Sequence, residues 1–218
     1  EFVCKDTLMP GDNWMNDNSR RRRGMDRVRS KDGTLIAYER SGTGPALVLV
    51  HGTTADHTRW ASVLPMLEQK FTVYAVDRRG RGQSDDSIAY SIEREYEDIA
   101  AVVGSIQGPV NLLGHSYGAL CSLEAALRVA NLNRLILYEP AISVGVTFYP
   151  PDARARIQEL LDSGDRTGAL LVFFREIVKA PEHEIALLRM EPGWSVRLAT
   201  AHTIPREFAD EDYILDPL

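Results

Sequence analysis

The sequence predicts an α/β fold, a doubly wound and mostly parallel sheet followed by a helical region. Three observations carry that expectation. Apolar runs of strand length alternate with helical spacing between residues 33 and 140. The run Ala46-Leu47-Val48-Leu49-Val50-His51 is almost continuously apolar, as strands covered on both faces are. After Pro140 no clear strand returns and only helical patterns continue.

The elements follow in order. Residues 34–39 read as a strand, closed by the turn Ser41-Gly42-Thr43-Gly44-Pro45. The strand over 46–51 comes next. Trp60, Val63, Leu64 and Leu67 then recur at helical spacing, which Pro65 interrupts. Residues 71–77 form the next strand. Ile92, Tyr96, Ile99, Val103 and Ile106 mark a long amphipathic helix with Ser91 as its N-cap. Residues 110–113 are a short apolar strand running into Gly114, and Ala119, Leu120, Leu123, Ala126, Leu127 and Ala130 give a helical face. Residues 134–139 return to strand, and Pro140 stops it. Helical spacing covers 153–161, 170–178, 184–190 and 195–203. Parallel sheets of this kind place ligands at the carboxyl ends of their strands, here just after His51, Asp77, Gly114 and Glu139.

Composition narrows the function. The 218 residues are 44% apolar and 26% charged, enough for one domain with a sizeable core. No apolar run reaches the roughly 20 residues of a membrane span. The formal net charge of -6 argues against a nucleic-acid partner. Cys4 and Cys121 are too few and too far apart for a disulfide framework or metal motif, which suits a reducing, cytoplasmic setting. Residues 1–24 differ from the rest and end in Arg20, Arg21, Arg22 and Arg23. No apolar stretch follows, so they read as a disordered extension rather than an export signal, with Met25 as the natural start.

The chemistry centres on Gly114-His115-Ser116-Tyr117-Gly118, a Gly-x-Ser-x-Gly motif between an apolar strand and a helix. A turn that tight needs glycines where backbone and helix pass closely. It lifts the Ser116 hydroxyl clear of the sheet, at a helix N-terminus where developing negative charge is favoured. Ser116 is therefore the expected nucleophile. Downstream of the third strand, Asp77-Arg78-Arg79-Gly80-Arg81-Gly82-Gln83-Ser84-Asp85 reads as a glycine-shaped loop that Asp77 and the arginines fix by pairing.

The segments at His51, Asp77 and Ser116, in this order, resemble the α/β-hydrolase family over roughly residues 30–140. The stretches His51-Gly52-Thr53-Thr54-Ala55-Asp56-His57 and Tyr138-Glu139-Pro140 look like a bacterial branch of it. The resemblance implies ester hydrolysis by acyl transfer on a small-molecule substrate, with no cofactor or metal. It makes the amides of Thr53 and Tyr117 the oxyanion-hole donors. His51 and His115 then organise loops rather than act as base. Residues 25–140 become an α/β-hydrolase core and 141–218 a helical cap region; His202 and Glu139 are the substrate-pocket candidates.

In that family the acid and then the histidine follow the serine. After Ser116 only His183 and His202 remain, both within helical patterns. The chain therefore reads as ending before two strands, the acid and the base, with an exposed sheet edge open to self-association. A rival reading makes residues 170–174 a late strand in a compact capless hydrolase. It takes Glu176 or Glu139 as acid and His183 or His202 as base. A third treats the chain as a non-catalytic homologue that holds a small ligand.

Overall fold

The computed structural model describes residues 24–142 and 150–208. The extension expected over 1–24 lies outside the described residues apart from Gly24, as do 143–149 and 209–218 of the expected helical region.

Six strands form one sheet: β1 (Met25–Arg29), β2 (Leu35–Gly42), β3 (Ala46–Val50), β4 (Thr72–Val76), β5 (Val110–His115) and β6 (Leu132–Tyr138). Their spatial order is β1-β2-β4-β3-β5-β6. The β1–β2 and β2–β4 pairs are antiparallel, and β4, β3, β5 and β6 run parallel. The sheet is thus mixed and mostly parallel. β1 was not legible as a strand because Met-Asp-Arg-Val-Arg has too little apolar character. As an edge strand it needs little, and charge there discourages further pairing. β6 is the other edge and leaves Ile136 and Tyr138 exposed.

Side chains of the central strands divide between two faces, as a period of two requires. Val48, Val50, Tyr74, Val76 and Leu112 point into a core built with helices α2 (Ile92–Ser105) and α3 (Tyr117–Ala126). Leu47, Leu49, Val73 and Ala75 pack on the other face beneath Trp60, Leu64 and Leu67. The α2 face is the one expected, with Tyr96, Ile99 and Val103 buried and Ser91 at its N-cap, although the Ser91 side chain makes no capping bond. The pattern around Pro65 resolves into a 3₁₀ turn (His57–Trp60) and the single-turn helix α1 (Leu64–Leu67). Pro65 sits in the first positions of α1, where a missing N–H breaks no bond.

Beyond β6 the described residues form helices and turns and no strand. It forms α4 (Ala153–Asp162), α5 (Arg166–Val172), a π turn (Phe173–Ile177), α6 (Glu182–Met190), α7 (Trp194–Thr200), a 3₁₀ turn (Ala201–Thr203) and α8 (Ile204–Glu207). The late strand of the rival reading is overturned, because residues 170–174 run from α5 into the π turn. Their apolar run buries Leu170, Phe173 and Phe174 in a second core with Ile157, Ile185 and Ile204.

Candidate active site

Among the described residues four non-glycine residues adopt positive φ, and three of them follow carboxyl ends of strands: Thr54 (φ 60) after β3, Ser116 (φ 54) after β5 and Glu139 (φ 47) after β6. Left-handed backbone at such residues costs of order 1–3 kcal/mol each, and it concentrates where function over-determines the geometry. At Ser116 the cause is local. The Ser116 N–H donates to the Tyr138 carbonyl at 2.9 Å, and its carbonyl accepts from Ala119 N–H at 2.9 Å as α3 begins. The flanking glycines have no room for a side chain. A Cβ on Gly114 would lie 2.5 Å from the Ala119 Cα, and one on Gly118 would collide with the His51 carbonyl.

The loop after β3 closes against this turn. A Cβ on Gly52 would stand 2.9 Å from the Ser116 Cβ, so the backbone leading into Thr53 passes beside the serine. Tyr117 N–H is the first of α3 and has no intrahelical acceptor. The Thr53 N–H donates to no acceptor among the described residues. His51 is fully buried between two loops: Nδ1 lies 2.8 Å from the Gly52 carbonyl, and Nε2 accepts from the Arg78 N–H at 3.2 Å. Burial, followed by the charge of Arg78, holds its pKa well below the usual histidine value. A neutral ring with both nitrogens engaged organises loops, as the sequence suggests.

The Asp77 loop corrects an expectation. Asp77 does not pair with the neighbouring arginines. Its carboxylate accepts from His57 N–H at 2.8 Å and Gln83 N–H at 2.9 Å, and His57 Nδ1 lies 2.8 Å away. That hydrogen bond to Asp77 raises the His57 pKa. The arginines turn toward α2 and α8 instead. Arg78 grips Glu95 at 2.8 and 3.0 Å and Glu207 at 2.8 Å, while Arg79 grips Asp98 at 2.7 Å twice. Arg81 reaches Glu207 as well. Sequence reasoning missed these partners, although Glu95 and Asp98 sit three residues apart on the inner face of α2.

Asp56, His57 and Asp77 bring one ligand atom each within 4.8 Å of the others, a spacing a cation could use. All three are already engaged, since Asp56 also caps the 3₁₀ turn through Thr58 N–H at 2.9 Å.

Other predicted residues lie further out. Glu139 is exposed and its carboxylate stands 3.9 Å from His115 Nε2, whose ring stacks on Tyr138. His183 is exposed on α6. His202 is also exposed, with Nδ1 3.0 Å from the Ala199 carbonyl, because Ala201, Thr203 and Ile204 take the inward positions around it. Glu176 pairs with Arg156 on the helical region. Among the described residues no side chain hydrogen-bonds the Ser116 hydroxyl. A cavity of about 630 Å³ opens between the loop after β3 and α7, lined by Thr54, Ala55, Asp56, Arg59, Glu191 and Arg197 among others. Neither His202 nor Glu139 lines it, so the structure does not bring these two pocket candidates to this cleft.

A mixed sheet with this strand order and a serine on a strained strand-to-helix turn defines a hydrolase-type α/β scaffold. Residues 47–217 match the Alpha/beta hydrolase family, and the chain belongs to that family. An α/β hydrolase from Sphaerobacter thermophilus superposes with a TM-score of 0.80 at 39% identity, covering 88% of this chain and 76% of that one. N-formylmaleamate deformylase from Pseudomonas putida is 37% identical over 119 residues, which is 52% of this chain and 44% of that protein. The 2-(acetamidomethylene)succinate hydrolase of Mesorhizobium japonicum is 34% identical over 106 residues, 48% of this chain and 38% of that protein. The chain thus spans less than half the length of these two curated relatives. Among the described residues no helix is long and apolar enough to cross a membrane.

Proposed function

We propose that this chain carries the nucleophile of a serine hydrolase that cleaves a small ester-like substrate by acyl transfer. The observation that carries the reading is Ser116 itself, a non-glycine residue held at φ 54 between β5 and the start of α3. The relatives named as hydrolase and deformylase support the reaction class.

Ser116 Oγ attacks the ester carbonyl, and its proton passes through a base to the departing alcohol. The oxyanion of the tetrahedral intermediate is held by the Thr53 and Tyr117 amides, each worth about 3 kcal/mol of transition-state stabilisation. Water then cleaves the acyl-serine, releasing the acid and restoring the hydroxyl. The described helices that follow β6, from α4 to α8, serve as a cap over the strand ends. No metal or cofactor takes part in this scheme.

The unpartnered Ser116 hydroxyl favours a second reading, a homologue that binds a small ligand without turning it over. Labelling with a fluorophosphonate probe separates the two. Labelling of the wild-type chain that vanishes in Ser116→Ala would show that Ser116 is activated by groups within these 218 residues. A folded wild-type chain that stays unlabelled would sink catalysis by these residues and leave the binding reading standing.

A further inference from the structure

Arg197, on α7, is half-buried beside the cleft. Its Nη1 donates to Thr54 Oγ1 at 3.0 Å, and its guanidinium carbon sits 5.3 Å from the Phe174 ring centroid. A hydroxyl and an aromatic face hold this cation in place without neutralising it. Among the described residues no carboxylate comes within ion-pair distance of it. The other arginines of the helical region that approach the core or pack on their own helices include Arg156, Arg175 and Arg206, and each has a carboxylate partner.

Arg59 faces the same cleft from the 3₁₀ turn that follows the Thr53 loop, and it too has no ion pair among the described residues. Burial, and then the positive charge of Arg59, lower the pKa of Arg197, while Glu191 opposes them. Burial and then Arg59 lower the pKa of His115, next to Ser116; Glu139 opposes them, and Arg197 adds a smaller push downward. Ser116 does not line the cleft, but the backbone joins the two: Gly52 passes beside Ser116, and Thr54, two residues on, lines the cleft and holds Arg197. Two carboxylates line the cleft as possible neutralisers. Asp56 is committed to Thr58, whose N–H and hydroxyl both donate to it. Glu191 is exposed and forms no ion pair among the described residues.

Arg59 is exposed and Arg197 half-buried, so an anion entering the cleft meets one solvated and one partly desolvated guanidinium, the latter with no carboxylate bound to it. The cavity has the volume of a small-molecule site, and the planar fork of arginine matches a carboxylate. We propose that Arg59 and Arg197 bind a carboxylate group of the substrate, so that this hydrolase acts on small esters carrying a second, ionised acid group. The assignment rests on the serine-hydrolase reading for its reaction, but its binding half stands apart from turnover.

Calorimetric titration of the whole 218-residue chain and of its Ser116→Ala form tests that half directly. The probes are monomethyl succinate, the neutral dimethyl succinate and inorganic phosphate. Both forms of the chain are expected to bind monomethyl succinate at least about tenfold tighter than the dimethyl ester, the worth of one charge-assisted contact. Arg197→Met should remove that preference, and Arg59→Met should reduce it. Glu191→Gln should preserve or strengthen it, because a competing negative charge is gone. Circular dichroism confirms folding of each variant, and Arg59→Met carries the test if Arg197→Met does not fold. Equal affinity for the two succinate esters, or a preference that survives both arginine variants, overturns the proposal. So does phosphate binding as tightly as monomethyl succinate, which would mark a general oxyanion site. No turnover of monomethyl succinate by the wild-type chain, with the binding preference intact in both forms, would count against the hydrolase reading alone.

Discussion

Arg78, Arg79 and Arg81 lie buried in the loop after β4, and each guanidinium ends on a carboxylate of α2, α8 or the loop before β2. Arg59 and Arg197 sit at the cleft a short distance away and end on none among the described residues. The same side chain does two different jobs in the two places. Where the partner charge is supplied by the chain, the arginine fixes architecture: Glu207 on α8, held by Arg78 and Arg81, fastens the helical region to the sheet layer. Arg206 strengthens the joint through Asp86 and the Arg79 carbonyl. Where the partner charge is missing, the cation is left for something that arrives from outside.

The sharpest way to break this comparison is to remove the shared carboxylate. Glu207→Ala leaves Arg78 and Arg81 buried with one negative charge too few, and uncompensated burial of that kind costs about 3–5 kcal/mol. Urea denaturation should show that loss, and a double variant Arg81→Met/Glu207→Leu should recover much of it. A loss below about 1 kcal/mol would mean that the network is no tighter than a surface pair.

Acid offers the next largest effect. Burial pushes the Glu95 carboxyl upward, but Arg78 and Arg81 outweigh it and bring its pKa from 4.5 to about 2. A folded-state value below the unfolded one gives stability that is present above the unfolded pKa and is lost as pH falls through the folded one. The window is therefore about pH 4.5 down to 2, and the amount is on the order of 3 kcal/mol. Urea midpoints compared between pH 7 and pH 3 should fall in the wild type and fall less in Glu95→Gln.

The smallest effect belongs to the cleft. Arg197→Met gives up the Thr54 hydrogen bond and the contact with Phe174, but it orphans no carboxylate and relieves repulsion from Arg59. Thermal or urea unfolding should move by no more than about 1 kcal/mol. A loss as large as that of Glu207→Ala would place Arg197 among the architectural arginines and blur the distinction.

Much of the framework was legible in the residues. The apolar runs at 46–51, 71–77 and 110–113 became β3, β4 and β5 because a strand covered on both faces must be apolar throughout. The Ser116 turn could be read for a related reason: a strand, two glycines and a helix start leave one sterically possible arrangement. β1 escaped notice because an edge strand is selected by its hydrogen bonds more than by its side chains.

Charge pairing was legible only in part. The sequence displays three arginines and an aspartate within five residues, and nearness along the chain suggests that they pair with one another. The structure sends Asp77 to His57, twenty residues upstream, and Arg78 and Arg81 to Glu207, more than a hundred residues downstream. Local sequence determines which backbone shapes are possible, since sterics and apolar burial act on neighbours and at fixed periods. Which buried charge meets which partner, and which cation at the cleft is left without one, depends on distances that exist only once the helical region has packed against the sheet.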